Sequence, residues 1–250
     1  MSEERISIIV PVLDEAATLT ACLMTLESLC DPDVEIIVAD GGSADATPEI
    51  ARGRAHTFVH APRGRGSQMN AGAALATGDI LLFLHADTRL PSGALDVIRR
   101  AISAGAQWGR FDVRIEGRSR ALRLVGAMMN LRSRLSGIAT GDQAIFVRRT
   151  VFDAAGGYPD IALMEDVALS GALRALAHPA CLRPPVATSG RRWEKHGVLR
   201  TIVLMWRLRA AYWLGADPDE LARRYGYQPR NGPQARLAGV RTEEKRPPDA

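Results

Sequence analysis

Lysine is nearly missing from this 250-residue chain: Lys195 and Lys245 are the two lysines among its 32 basic residues. The arginine bias reads as codon composition rather than as a nucleic-acid footprint, because no basic run is interleaved with aromatic residues. Cysteine is scarce too. Cys22, Cys30 and Cys181 are odd in number and fit neither a disulfide framework nor a zinc spacing, so they are expected as core or helix-face thiols in a reducing compartment. No apolar run reaches the ~20 residues that a membrane-spanning helix requires. Met1-Ser2-Glu3-Glu4-Arg5 leads into a strand pattern without the regions of a signal peptide. A cytoplasmic protein is the expectation, with the net charge of +4 compatible with anionic small molecules or a membrane surface.

What is present is apolar patterning. A hydrophobic content of 46% is enough for a substantial core. Strands are expected at Ile6 to Val12, Val34 to Ala39, Thr57 to His60 and 80 to 84. Helices are expected at 15 to 30, from Asp45-Ala46-Thr47-Pro48-Glu49 onward, and near Ser67 to Ala76. Strands alternating with helices predict an α/β fold with a mostly parallel central sheet. Pro91-Ser92 is read as opening a helix to Ala104 with Ser92 as N-cap. Trp108 to Ile115 alternates like a strand with one face in solvent. Helices at 119 to 135, Val167 to Ala177 and Val198 to Leu214 flank a strand at Ala144 to Val147. Residues 1–225 are expected to form one domain, divided near residue 90 into a nucleotide half and an acceptor half, and 226–250 a disordered tail.

The run Ile80-Leu81-Leu82-Phe83-Leu84 stops at His85-Ala86-Asp87. A continuous apolar run suits a strand buried on both faces, and in open α/β sheets ligands bind beyond the strands' carboxyl ends. Two other expected strands also end in acids, at Pro11-Val12-Leu13-Asp14-Glu15 and Asp40-Gly41-Gly42-Ser43. An acid at such a place accepts a hydrogen bond from a base N–H or ribose hydroxyl, or ligates a divalent cation through oxygen. Asp45 reads more simply as a helix cap and Asp14 as a loop residue.

The ordered motifs V-P-V-L-D-E, A-D-G-G-S-A-D-A-T, N-A-G-A-A-L-A-T-G-D-I-L-L-F-L-H-A-D-T and M-E-D-V, spread from Ile6 to Leu173, resemble the family-2 glycosyltransferases of the GT-A fold. The resemblance implies a nucleotide-sugar donor, with UDP-sugars first in line, a metal ion (Mn2+ or Mg2+), and an inverting transfer to an acceptor hydroxyl. It implies nucleotide-sugar binding by Pro11, Val12, Glu15, Asp40, Gly42, Arg65, His85, Arg192 and His196, with Asp40 on the base. It puts the metal on Asp87, makes Asp166 the general base, and has Glu165 orient that base or the acceptor. By spacing alone Glu165-Asp166 reads first as a pair of first-turn acids favoured by a helix dipole, and the resemblance is what turns it into a catalytic pair.

The sequence departs from the family pattern in His85 for the leading acid of D-x-D, in Gly41 for the second acid of D-D-G-S, and in Gln68-Met69-Asn70 for A-R-N. Arg65 is a candidate substitute for that arginine, and the departures resemble a small bacterial subgroup. Arg191, Arg192, Trp193, Lys195 and His196 form a cluster suited either to a diphosphate or to an exposed basic loop. His56, His60 and His178 read as structural or surface residues. Residues 198 to 214 mix aromatic and apolar positions with Arg200, Arg207 and Arg209, as an interfacial or a core-packed helix does. Two alternatives stand beside the transferase. A nucleotidyltransferase would need a glycine-rich phosphate loop where Pro11 to Glu15 stand, and a non-catalytic nucleotide-binding module is kept open by His85.

Overall fold

A computed structural model describes residues 4–227 and 241–243. Strands β1 (Ile6–Val12), β2 (Val34–Asp40), β3 (Thr57–His60) and β4 (Ile80–Phe83) lie parallel in the order β3-β2-β1-β4, interleaved with helices α1 (Ala16–Leu29), α2 (Thr47–Arg54) and α3 (Arg65–Leu75). Every residue of β1, β2 and β4 is buried, as their unbroken apolar sequence requires. Period-two alternation sends Ile8 and Val10 to the layer holding Leu19, Leu23 and Leu26 of α1, and Ile9 to the layer holding Met69 and Ala73 of α3. Each such fully enclosed aliphatic side chain contributes roughly 1.5–3 kcal/mol over its exposed state.

Parallel order ends at β4. After β5 (Thr88–Arg89), α4 (Ala94–Ser103), β6 (Trp108–Glu116) and α5 (Ala121–Ser136), strand β7 (Ile145–Arg148) pairs antiparallel with β4, placing Ile145 opposite Phe83. The 3-10 turn Gly141–Gln143 that precedes β7 therefore lies at the edge where β4 ends. Beyond α6 (Arg149–Ala154) and α7 (Glu165–Leu176), strand β8 (Ala180–Ser189) runs parallel to β6 and antiparallel to β5, with Thr188 opposite Thr88. That register carries the residues after β8 back to Asp87. Helices α8 (Arg191–His196), α9 (Val198–Trp213) and α10 (Pro218–Tyr225) close this side. The α/β class holds, with the parallel run confined to β3-β2-β1-β4 and the β6–β8 pair.

Three local expectations change. β6 does not offer a face to solvent. Its polar residues Arg110 and Asp112 are buried because they pair with each other, and Asp112 also accepts from Arg134 at 2.7 Å and Arg183 at 2.8 Å. At the bulge between Phe111 and Val113, Asn130 of α5 donates to Val113 O and accepts from Val113 N–H, replacing the lost ladder bonds. The helix after Pro91 starts at Ala94, and its N-cap is Gly93 at φ 71, a left-handed position that Ser92 would occupy only under strain. The short elements β5, α6, α8 and α10 and the strand β8 were not foreseen. Of the expected tail from 226, most lies outside the described residues, while Arg241–Glu243 form β9, antiparallel to β3.

Candidate active site

The carboxyl ends of β1, β2 and β4, the Gly141–Gln143 turn and the N-terminus of α7 share one edge of the sheet. Among the described residues, the non-glycine residues with left-handed backbone are Asp14, Ala144 and Met164, at φ 54, 48 and 71. All three flank this edge: Asp14 follows β1, Ala144 follows the turn, and Met164 precedes the acid pair. Such positions cost on the order of 1–3 kcal/mol each and cluster where function fixes the backbone.

Asp40, at the end of β2, is completely buried. Its carboxylate accepts from Gly42 N–H at 3.0 Å, Ser43 N–H at 3.2 Å and Ser43 Oγ, so it clamps the 41–43 loop. Gly42 sits at φ 90 with open space around its would-be Cβ, so backbone conformation rather than room requires glycine. His60 at the end of β3 lies with Nδ1 3.4 Å from Asp40 Oδ2, the structural rather than the surface alternative for this histidine. Pro11 and Val12 are buried, and Val12 O accepts from Gly41 N–H at 2.9 Å and Gln68 Nε2 at 2.6 Å. Gln68 also donates to Ala39 O, pinning the ends of β1 and β2 together. Asp14 and Asp45 tie loops: Asp14 accepts from Ala44 N–H, and Asp45 accepts from Thr47 N–H and from Ala16 N–H at the start of α1.

Beyond β4, His85 Nδ1 lies 3.4 Å from Asp142 Oδ1 in the turn before β7. A Cβ at Gly141 would collide with the His85 ring, so this approach needs glycine. Burial opposes the Asp142 charge, but the hydrogen bond and charge of His85, then Arg65 and Arg209, hold its carboxyl below the usual range. Asp87 goes the other way: burial, followed by the like charges of Asp142 and Glu15, raises it against His85 and Arg191. Arg191 reaches towards both acids, with NH2 3.6 Å from Glu15 Oε2 and 3.8 Å from Asp87 Oδ2. Its neighbour Arg192 stacks 3.4 Å over the Tyr225 ring centroid and donates to Tyr225 O, and Tyr225 in turn lies within electrostatic reach of Arg65, Asp142 and Asp166. His196, at the end of α8, is exposed. Of the basic cluster at 191–196, it is Arg191 that approaches the acids at Glu15 and Asp87. Arg65 opens α3 within electrostatic reach of Glu165 and Asp142.

Asp166 is held from two sides, Oδ2 accepting from Gly141 N–H at 2.8 Å and Oδ1 from Val167 N–H at 2.7 Å. The Gly141–Gln143 turn therefore couples the two clusters, Gly141 holding Asp166 while Asp142 holds His85. Glu165 is buried, and burial followed by the charge of Asp166 pushes its carboxyl up to about 7, against Arg65. Since the native state keeps this proton to higher pH than the unfolded chain, stability is lost as pH rises from about 4.5 through about 7. Glu165→Gln should remove that loss, gaining on the order of 1–3 kcal/mol over wild type at pH 8 and little at pH 4.5. Urea unfolding at the two pH values measures it, and an equal effect at both would contradict the raised carboxyl.

Residues 7–151 match the family model described as glycosyl transferase family 2, which is more than half of the chain. The chain belongs to glycosyl transferase family 2. A "PGL/p-HBAD biosynthesis glycosyltransferase" of Mycobacterium bovis is 40% identical over 97 residues, which cover 36% of this chain and 38% of that relative. Among solved structures, S. aureus TarS 1-349 in complex with UDP-GlcNAc superimposes with TM-score 0.61 at 18% identity, covering 74% of this chain and 58% of that one. The mannosyltransferase PcManGT from Pyrobaculum calidifontis, in complex with GDP-Man and Mn2+, gives TM-score 0.58 at 21% identity over 95% of this chain and 71% of that one. At these identities the structures establish a shared GT-A fold. As a family-2 glycosyltransferase, the chain has its acid clusters at the sheet edge where α/β folds place ligands.

Proposed function

We propose that this family-2 glycosyltransferase moves a sugar from a nucleoside diphosphate, with a UDP-sugar as the donor to test first, onto an acceptor hydroxyl with inversion, residues 1–225 acting as one unit. The observation that carries the reading is the turn at Gly141–Gln143, which fixes the Asp166 carboxylate and the His85-Ala86-Asp87 segment in one frame. In the reaction Asp166 takes the acceptor's hydroxyl proton while that oxygen forms its bond to the anomeric carbon. The bond from that carbon to the diphosphate breaks, and its electron pair leaves with the nucleoside diphosphate. Gly141 N–H and Val167 N–H keep the Asp166 oxygens aimed, and Met164 fixes the entry of α7.

The Asp40 loop, with Pro11 and Val12, forms the floor for the base, and Asp40 acts by holding Gly42 and Ser43 in place beside His60. Glu15, Arg65 and His85 border the ribose and diphosphate, with Arg192 and His196 at the outer rim of the same segment.

Among the described residues no three His, Cys, Asp or Glu side chains converge as a complete metal cage. The donor set nevertheless suits a hard cation bound jointly with a diphosphate, because Asp87 is an oxygen ligand, 28% exposed, in a surplus of negative charge with Glu15 and Asp142. When bound, Mn2+ or Mg2+ neutralises charge on the departing diphosphate. Arg191 must then yield its place between Glu15 and Asp87 or move onto the phosphate. Thermal melting of the protein with UDP-sugars, with and without Mn2+, tests the reading. Ligand at a hundred times Kd adds about 2.7 kcal/mol to native stability. No nucleotide-dependent rise in midpoint with any donor would refute it.

No described helix is long and apolar enough to cross a membrane. On α5, Leu124, Met128, Leu131 and Leu135 are exposed at helical spacing, as are Leu199, Val203, Trp206 and Trp213 on α9, with Leu135 at 79% and Trp206 at 68%. The two helices pack together through Val125, Met129, Val198 and Ile202, so these stripes share a region rimmed by exposed Arg120, Arg123, Arg200 and Arg207. This supports a cytoplasmic enzyme that rests on an anionic lipid surface. Co-sedimentation with phosphatidylglycerol vesicles should exceed that with phosphatidylcholine and fall with salt and in the Leu135→Glu, Trp206→Glu double variant. Equal recovery with both lipids would refute it.

A further inference from the structure

Most buried arginines of this protein have their partners. Arg110 pairs with Asp112 and donates to Asn130 O, Arg99 holds both oxygens of Asp31, and Arg149 donates three hydrogen bonds to backbone carbonyls. Arg110 Nε is enclosed without a partner, but that guanidinium is ion-paired; two others have no such pairing. Arg132 of α5 has Nε and NH2 enclosed with no hydrogen-bond partner, and Arg209 of α9 has Nε in the same condition. Neither forms an ion pair among the described residues. Ser133 Oγ and Gln143 Nε2, from the same helix and from the turn that holds Asp166, are also enclosed and unpartnered. Each of these four groups is able to donate.

Guanidinium nitrogens enclosed without a hydrogen-bond partner are costly, and native proteins rarely leave such groups unsatisfied. The cost is visible here. Burial, then the like charge of Arg209, lowers Arg132 to about 10, and burial lowers Arg209 against the opposing charges of Asp166 and Asp142. Both remain cationic at neutral pH. Asp166 is the acid whose charge reaches both, but it forms no hydrogen bond or ion pair with either guanidinium and accepts instead from Gly141 N–H and Val167 N–H.

We infer that Arg132 and Arg209 bind an oxyanion, a phosphate or carboxylate, carried by the acceptor, so that the sugar is delivered to a hydroxyl on an anionic molecule. The inference rests on the proposal that Asp166 is the base. The guanidiniums lie around Asp166 and not at Glu15 and Asp87, where Arg191 already supplies a cation, so the acceptor rather than the donor is the anion they meet. A planar guanidinium matches such a group with paired, charge-assisted hydrogen bonds. A free metabolite and a lipid headgroup both carry such an anion, and the lipid arm of the test separates them.

The test titrates inorganic phosphate, glycerol 3-phosphate and glycerol into protein saturated with UDP and Mg2+, with phosphatidic acid in detergent micelles as the lipid arm. Phosphate and glycerol 3-phosphate are expected to bind at least tenfold more tightly than glycerol. Arg132→Gln and Arg209→Gln should each lower that affinity about tenfold with UDP affinity unchanged, which also reports that the variants are folded. Arg132→Lys, keeping the charge without the fork, should recover part of it. Binding of micellar phosphatidic acid that exceeds glycerol 3-phosphate and is lost in the same variants would assign the anion to a lipid. Phosphate affinity equal to that of glycerol, folded variants that bind phosphate like wild type, or phosphate that competes with UDP would each overturn the inference. Failure of wild type to bind UDP would instead remove the donor reading, and the same titration without nucleotide would still decide the arginine pocket.

Discussion

Asp166→Asn is expected to reduce single-turnover sugar transfer by about 10²–10⁴-fold, the range for loss of a general base, while leaving donor affinity within a factor of two or so. The amide preserves the shape of the carboxylate and can still accept through one oxygen from Gly141 N–H or Val167 N–H, so α7 and the turn before β7 should stay in place. What it lacks is proton affinity. Glu165 offers no ready replacement, because burial keeps its carboxyl protonated up to about 7 and it lies beside Arg65. In the variant the like charge of Asp166 is gone and burial alone raises the Glu165 carboxyl, so any residual activity that Glu165 supports should rise with pH below that range. Transfer at the wild-type rate would remove Asp166 from the base's role, and a product that retained anomeric configuration would exclude single displacement. Loss of donor binding without any other change would move Asp166 to the nucleotide side of the site.

Asp87→Asn should lower metal-dependent affinity for UDP by about ten- to a hundredfold, since hydrogen bonds and ligation through a charged group are worth roughly 1.5–3 kcal/mol. Without metal the effect should be small or reversed. The carboxyl of Asp87 is already raised by burial and by its acidic neighbours, so neutralising it relieves repulsion within the empty site. Asp40→Ala should behave in the opposite manner, losing uridine affinity with and without metal, because Asp40 organises the loop at the end of β2. Calorimetric titrations of uridine and of UDP with Mn2+ into the two variants separate the effects. A folded Asp87→Asn protein with unaltered metal dependence would take Asp87 out of the metal site.

Much of this architecture is written locally. Strands β1, β2 and β4 are continuous apolar runs, and α1 carries Leu19, Leu23 and Leu26 at helical spacing, so chain-local periodicity specified them together with the acids at their ends. The acid pair Glu165-Asp166 opens α7 as its local pattern indicates, because first-turn acids and the apolar pattern that follows are both readable along the chain. The alternation of β6 suggests a solvent face because polar residues ordinarily face water, an expectation that three-dimensional pairing overrides here. Arg110 and Asp112 are buried by virtue of each other and of Arg134 and Arg183, which come from α5 and β8.

The sequence by itself determined the α/β class, the edge of the sheet on which acids gather, and the ordered motifs that mark the family, since each depends on near neighbours in the chain. Tertiary structure alone decided which side chains meet there. That Arg191 rather than Arg192 approaches Asp87 follows from the register of β8 against β5 and the phase of α8. That Asp142 holds His85 follows from β7 running antiparallel to β4. That Arg132 and Arg209 are enclosed near Asp166 without partners depends on α9 packing against α5, residues more than seventy positions apart. Contacts of that kind are set by strand order and helix packing, which no local pattern encodes.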